Sequence, residues 1–233
     1  MRTILAGLLA FVTFLGASAG LGNAGSKPVV VELYTSAGCS SCPPADAMLG
    51  KLAERDGVIA LGLHVDYWDY IGWKDEFGDP AYTARQKSYA RFARHRSVYT
   101  PQLIVGGTGY VVGNKPMEVM DFITAQQAQA SQVDLSISRN GGRVVIKAVA
   151  LSAQPMMVQL VRYKPRSVVQ IRRGENAGRT IEYFNIVNEW RQIEKWNGHE
   201  PLSTSTRIKG SDPVVVIVQA VGPGPILAAA RLR

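Results

Sequence analysis

Cysteine is almost absent from this chain. Only Cys39 and Cys42 occur in 233 residues. A fold held by a disulfide framework is therefore excluded. Histidine is scarce too, at three residues (His64, His95, His199). A structural zinc site takes four protein ligands, so these few residues argue against one. Beyond the first residues, no apolar run is long enough to span a bilayer. Low-complexity tracts and internal repeats are also missing. Hydrophobic residues make up 46% and charged residues 19%, which excludes a disordered chain.

The formal charge of +8 needs a different argument. Its main cluster is Arg85, Lys87, Arg91, Arg94, His95 and Arg96. On a helix these residues spread around the circumference instead of forming one face interleaved with aromatics. A solvated helix surface is the reading, and nucleic acid is not expected as a partner.

The amino terminus reads as a targeting segment. Arg2 precedes an apolar run from Ile4 to Leu15, followed by Ala17-Ser18-Ala19. This predicts a signal peptide over 1–19 and a secreted or periplasmic mature chain without a transmembrane segment. Such a compartment is oxidising, which makes the two remaining thiols more informative.

Those thiols lie at the centre of the pattern. Val29 to Tyr34 is a β-branched apolar run and predicts a buried strand. Pro43 and Pro44 suit the first turn of a helix, and good helix formers follow through Leu52. Cys39-Ser40-Ser41-Cys42 therefore falls where a strand ends and a helix begins. The positive end of the helix favours a thiolate there, so an exposed Cys39 should titrate below a free thiol, with Cys42 better shielded. A redox pair, a metal or reserve thiol pair, and a structural bridge all fit two cysteines. The structural bridge explains least, because so short a loop carries little unfolded-state entropy to remove.

Val58 to Val65 is a second apolar run, expected to lie parallel to the first across the intervening helix. At its carboxyl end, Asp66 to Trp73 brings four aromatics and two aspartates, including Trp68. They shape a groove beside the thiols or else bury a long loop. His64 reads as a core histidine. Asp79-Pro80 starts a helix expected to run to about Arg96. Thr100-Pro101 precedes the apolar run Gln102 to Val105, and Gly106 to Gly109 turns it into a hairpin with Tyr110 to Val112. Asn114 is expected to cap a further helix ending near Ala130.

The order strand, helix, strand, helix, strand, strand, helix resembles the thioredoxin superfamily over roughly 28–128. The likeness rests on Cys39-Ser40-Ser41-Cys42, the Thr100-Pro101 step and the element order. It implies a cis Thr100–Pro101 bond facing the cysteines, with Cys39 as attacking and Cys42 as resolving thiol. Thr100, Pro101 and Trp68 are then the substrate-binding candidates. The chain departs from the superfamily at Gly38, at Ser40-Ser41, and at Leu33, where a buried acid is often found. Glu32 is one residue away and points to the other face. Along its whole length, from Glu32-Leu33-Tyr34-Thr35 to His64-Val65-Asp66-Tyr67-Trp68, the chain also resembles a family of exported bacterial proteins of unknown function with a thioredoxin-like front half.

Past Ala130 the pattern becomes strand-like. Val133–Ser138, Arg143–Leu151, Met156–Lys164, Arg179–Asn188, Trp190–Trp196 and Val214–Val221 alternate or run apolar, with Asn140-Gly141-Gly142 as a hairpin turn. The expected fold is an α/β thioredoxin-like domain (28–130) followed by an all-β, sandwich-like domain (131–233). The expected function is an exported thiol–disulfide oxidoreductase using Cys39 and Cys42, without a cofactor. Its partners would be a protein or small disulfide substrate and an unidentified redox partner. A soft-metal, Cu(I)-type carrier using the same thiols, or a partner-binding protein working through the β-rich half, are the alternatives.

Overall fold

The structure is a computed structural model that describes residues 27–233. The expected signal peptide, 1–19, lies outside the described residues. The architecture is mixed α/β, with one large sheet and few helices.

The chain enters on β1 (Val29–Thr35), crosses over through α1 (Pro43–Ala53) and returns as β2 (Val58–His64), parallel to β1. A short 3-10 turn (Asp69–Ile71) leads to α2 (Pro80–Phe92). Asp79 caps α2, its side chain accepting the Ala81 N–H at 2.7 Å. Then β3 (Gln102–Val105) pairs antiparallel with β1, and β4 (Gly109–Val112) pairs antiparallel with β3. Next comes α3 (Pro116–Gln127), which starts at Lys115 without a side-chain cap, not at Asn114 as expected.

Alternation along β1 separates two cores. Val29, Val31 and Leu33 pack with Ala45, Leu49 and Leu52 of α1 and Val119 and Ile123 of α3. Val30 and Tyr34 point the other way, toward Tyr82 and Tyr89 of α2. A strand buried on both faces explains why its sequence is a continuous apolar run.

Among the described residues, all three α-helices precede residue 130, and the elements that follow are strands. These are β5 (Val133–Asn140), β6 (Arg143–Ala150), β7 (Met156–Gln170), β8 (Thr180–Trp196), β9 (Leu202–Arg207), β10 (Val214–Ala220) and β11 (Ile226–Leu232). Strands β5, β6 and β9 form a small sheet. It packs Val144 and Ile146 against Leu160, Val214 and Val216 of the large one. The large sheet runs β11-β10-β7-β8-β2-β1-β3-β4, so strands from both parts of the chain share it.

Within the large sheet the two parts are joined by a short pairing, and Val30, Tyr34 and Tyr82 share a core with Val161, Val187 and Val215. Gly62 of β2 is the register partner of Ile186 in β8. A Cβ on Gly62 would sit 3.1 Å from the Phe184 carbonyl oxygen, so glycine allows the strands to approach. Gly50 of α1 likewise leaves space for the Phe184 ring, which a Cβ would meet at 2.7 Å. Asn185, at φ +46°, donates its side-chain amide to the Ala60 carbonyl at 2.8 Å.

Strand β7 runs through Pro165, past the Lys164 end expected from the sequence, and β8 is continuous where two strands were expected. The ladder closes on either side of Pro165, with Lys164 opposite Ile186 and Arg166 opposite Phe184. The residue with positive φ, Asn185, falls between those partners, so the missing proline N–H is absorbed locally.

Candidate functional site

Strand β1 ends at Thr35, and Ser36 to Gly38 carry the chain to the cysteines. Cys39 and Cys42 are joined as a disulfide, with Cα atoms 5.4 Å apart. Cys42 occupies the N-cap of α1, and its carbonyl accepts the Ala45 and Asp46 N–H groups at 2.9 and 3.1 Å. The pair therefore sits at the positive end of the helix, where the sequence places it.

Cys39 is not the exposed thiol expected from the sequence. In the disulfide it is 1% exposed, and Ser40 and Ser41 form the outer surface of the turn. Three residues pack against the segment that carries it. Gly38 lies under Trp68 and Ile71, and a Cβ there would meet them at 3.1 and 3.3 Å. From the other side, Asn176 donates to the Ala37 and Cys39 carbonyls at 3.0 and 2.9 Å.

Three further sequence candidates reach the same place. The Trp68 indole N–H donates to the Thr100 hydroxyl at 2.7 Å. The Thr100–Pro101 bond is cis, as the resemblance implied. Gly113 fits between Pro101 and Ala45 of the first turn of α1, where a Cβ would meet them at 2.5 and 3.0 Å. Tyr70, 80% exposed, stacks on Trp68 with ring centroids 6.5 Å apart. The disulfide, Trp68, Thr100 and Pro101 thus gather at the end of the sheet where β1 and β2 finish and β3 begins.

A buried polar cluster lies beneath them. Asp46, four residues beyond Cys42 on α1, is 3% exposed. Burial pushes its carboxyl up to about 7, with His64 and then the nearby Thr35 hydroxyl acting in the opposite sense. Its Oδ2 and the Tyr183 hydroxyl are buried without a partner in hydrogen-bond geometry. His64 Nδ1 is 2.7 Å from Asp75 Oδ2, the same oxygen that accepts the Ala37 N–H at 2.7 Å. Burial alone would raise the Asp75 carboxyl, but His64 and the Ala37 and Phe77 N–H groups outweigh it and hold it low. Tyr183 meets the His64 ring edge-on at 4.7 Å. Its hydroxyl is driven upward by burial, then by Asp46 and Asp75.

Residues 30–219 match the family described as a protein of unknown function, DUF1223. The chain belongs to the DUF1223 family. The crystal structure of protein AGR_C_4864 from Agrobacterium tumefaciens is similar to it, at 30% identity and a TM-score of 0.77. The match covers 89% of this chain and 94% of that one. No curated protein matches. Among the described residues no helix is long and apolar enough to cross a membrane, and no group of three His, Cys, Asp or Glu side chains is placed to hold a metal.

Sequence reasoning missed three residues of this DUF1223 site. Asp46 carried a signal, lying one helical turn after Cys42 on the same face. Asp75 and Asn176 carried none, since both come from loops whose approach to the cysteines depends on the folded sheet. The cluster of basic residues on α2 also needs one correction. Arg85 is not on a solvated face but turns inward to Glu32, with Nε–Oε2 at 2.7 Å and Nη2–Oε1 at 2.8 Å.

Proposed function

We propose that this protein is an exported thiol–disulfide oxidoreductase with a thioredoxin-like front half. Its substrates are protein or small disulfides, and Cys39 and Cys42 are its reversible redox pair. The observation that carries this reading is the disulfide at the N-cap of α1, at the same end of the sheet as Trp68, Thr100 and Pro101. A helix N-terminus stabilises the thiolate that exchange requires, and a dithiol three residues apart can close on itself to release a mixed disulfide.

In the oxidising direction for the protein, the Cys39 thiolate attacks a substrate disulfide RSSR′. A Cys39–S–S–R bond forms and R′S⁻ leaves. Cys42 then gives its proton to a base, attacks the Cys39 sulfur and expels RS⁻. The protein dithiol loses two electrons, and the substrate disulfide gains them and takes up the two thiol protons. Asp46 suits the base role, because a carboxyl brought near 7 accepts and returns a proton close to neutral pH. Its place on the helix, one turn from Cys42, makes up for the apolar Leu33 on β1.

The test is equilibration of the protein in glutathione buffers of graded poise, followed by alkylation of free thiols and mass measurement. A reversible one-step, two-electron transition supports the reading. A disulfide that never opens across the biological range, or reduced protein that retains stoichiometric Cu(I) and shows no exchange, refutes it. The second outcome would favour the soft-metal carrier.

A further inference from the structure

Asn176 is 1% exposed, although Glu175 and Ala177 on either side of it are exposed. It belongs to the turn 171–179 between β7 and β8. That turn is well braced, with Ile171 N–H to Arg179 O at 2.9 Å, Gly178 N–H to Ile171 O at 2.8 Å and Arg179 N–H to Asn176 O at 3.1 Å. Gly174 brings the turn against Trp73, where a Cβ would lie 3.3 Å from the tryptophan Cβ.

The Asn176 amide is fully used. Its Nδ2 donates to the Ala37 and Cys39 carbonyls, and its Oδ1 accepts from Arg179 Nη1 at 2.9 Å. A carboxamide suits this position because donors must face two carbonyls while an acceptor faces a guanidinium. Asp75 holds Ala37 from the other side through its N–H. The segment leading into Cys39 is therefore gripped by two buried side chains from separate loops. One of them comes from 137 residues further along the chain.

We infer that the β7–β8 turn is a working part of the redox site, and that Asn176 is the positioning residue that fixes Cys39 for disulfide exchange with Cys42. This rests on the reading of the two cysteines as a reversible pair. Closing the disulfide depends on the effective concentration of one sulfur at the other, and that concentration falls when the segment carrying Cys39 is free to move. Removing the grip should therefore weaken the disulfide relative to the dithiol.

The experiment uses the full chain and its Asn176→Ala and Arg179→Ala variants, equilibrated with reduced and oxidised glutathione. The reaction is protein dithiol plus glutathione disulfide giving protein disulfide plus two glutathione thiols. Asn176→Ala should lower its equilibrium constant about tenfold, a rise of about 30 mV in reduction potential. Arg179→Ala, at an exposed residue that only orients the amide, should shift it the same way by less. In the reduced protein, Cys39 alkylation should become faster in both variants. If both keep the wild-type constant within about twofold while the Asn176→Ala protein melts at lower temperature, Asn176 only supports the fold and the inference is overturned. Should Asn176→Ala fail to fold, an unchanged constant in Arg179→Ala overturns it equally. Failure of the wild-type pair to exchange with glutathione would instead sink the oxidoreductase reading, so the two failures are distinguishable.

Discussion

Two buried carboxyl clusters lie on opposite sides of the front sheet, and they are built to different rules. Glu32, on the α2 side, is fully matched. It accepts Arg85 through two nitrogens, Tyr89 OH at 2.8 Å and Tyr34 OH at 2.9 Å. Gln219 in turn accepts from Arg85 and donates to Tyr89, and Arg85 stacks on Trp190 at 3.8 Å. Asp46, on the disulfide side, has no cation bound to it among the described residues, and its Oδ2 lacks a partner in hydrogen-bond geometry. A satisfied buried network fixes structure, whereas a buried carboxyl short of partners is ready to take up a proton. The first cluster ties α2 to the sheet and to β10. The second lies under the Cys39–Cys42 disulfide.

Removing the cysteines breaks this contrast most completely. Cys42→Ala should abolish turnover and accumulate mixed disulfides with partners, seen on non-reducing gels after acid trapping. Cys39→Ala should abolish turnover and trap few. Neither change should disturb the Glu32 side, which a near-UV spectrum of its tyrosines and Trp190 would register.

Arg85→Ala attacks the matched cluster. It leaves Glu32 buried without its cation, at a cost of about 3–5 kcal/mol in denaturant-measured stability. The reduction potential of the protein that remains folded should stay at the wild-type value. A potential that moved with Arg85 would mean that the two clusters are coupled.

Asp46→Asn should act in the opposite sense on stability. The folded chain holds the Asp46 proton from an ordinary value of 3.8 up to about 7, so the folded state binds more protons in that window. Stability from this group is complete below about pH 4 and falls as pH rises toward 7. Asparagine should remove that slope and gain up to about 4 kcal/mol above pH 7. Exchange at neutral pH should slow in the same variant, as the base role proposed for Asp46 requires. Urea titrations at pH 5 and 8 test the first claim, and stopped-flow exchange tests the second.

Trp68→Phe sharpens the comparison with the smallest change. It removes the indole bond to Thr100 while leaving a ring over Gly38, and should cost about 1 kcal/mol. Exchange with a peptide disulfide should slow more than exchange with a small one if Trp68 and Thr100 line the substrate path.

Local sequence determined a good deal of this protein. The β-branched run of β1, the prolines opening α1, the Asp79 cap of α2 and the glycines of the β3–β4 turn each act through neighbours a few residues away. Their signals survive without the fold, and so does the placement of Cys39 and Cys42 at a strand–helix junction. Tertiary structure alone decided the rest. Arg85 turned inward because Glu32, 53 positions earlier, waits on the adjacent strand. The two parts of the chain share a sheet because Gly62 and Gly50 leave room for Phe184. Cys39 is buried in a segment that Trp68 and Asn176 meet from separate loops. Spacing and propensity encode conformation, which is short-ranged, but burial and hydrogen-bond partnership depend on residues distant in sequence that only the folded chain brings together.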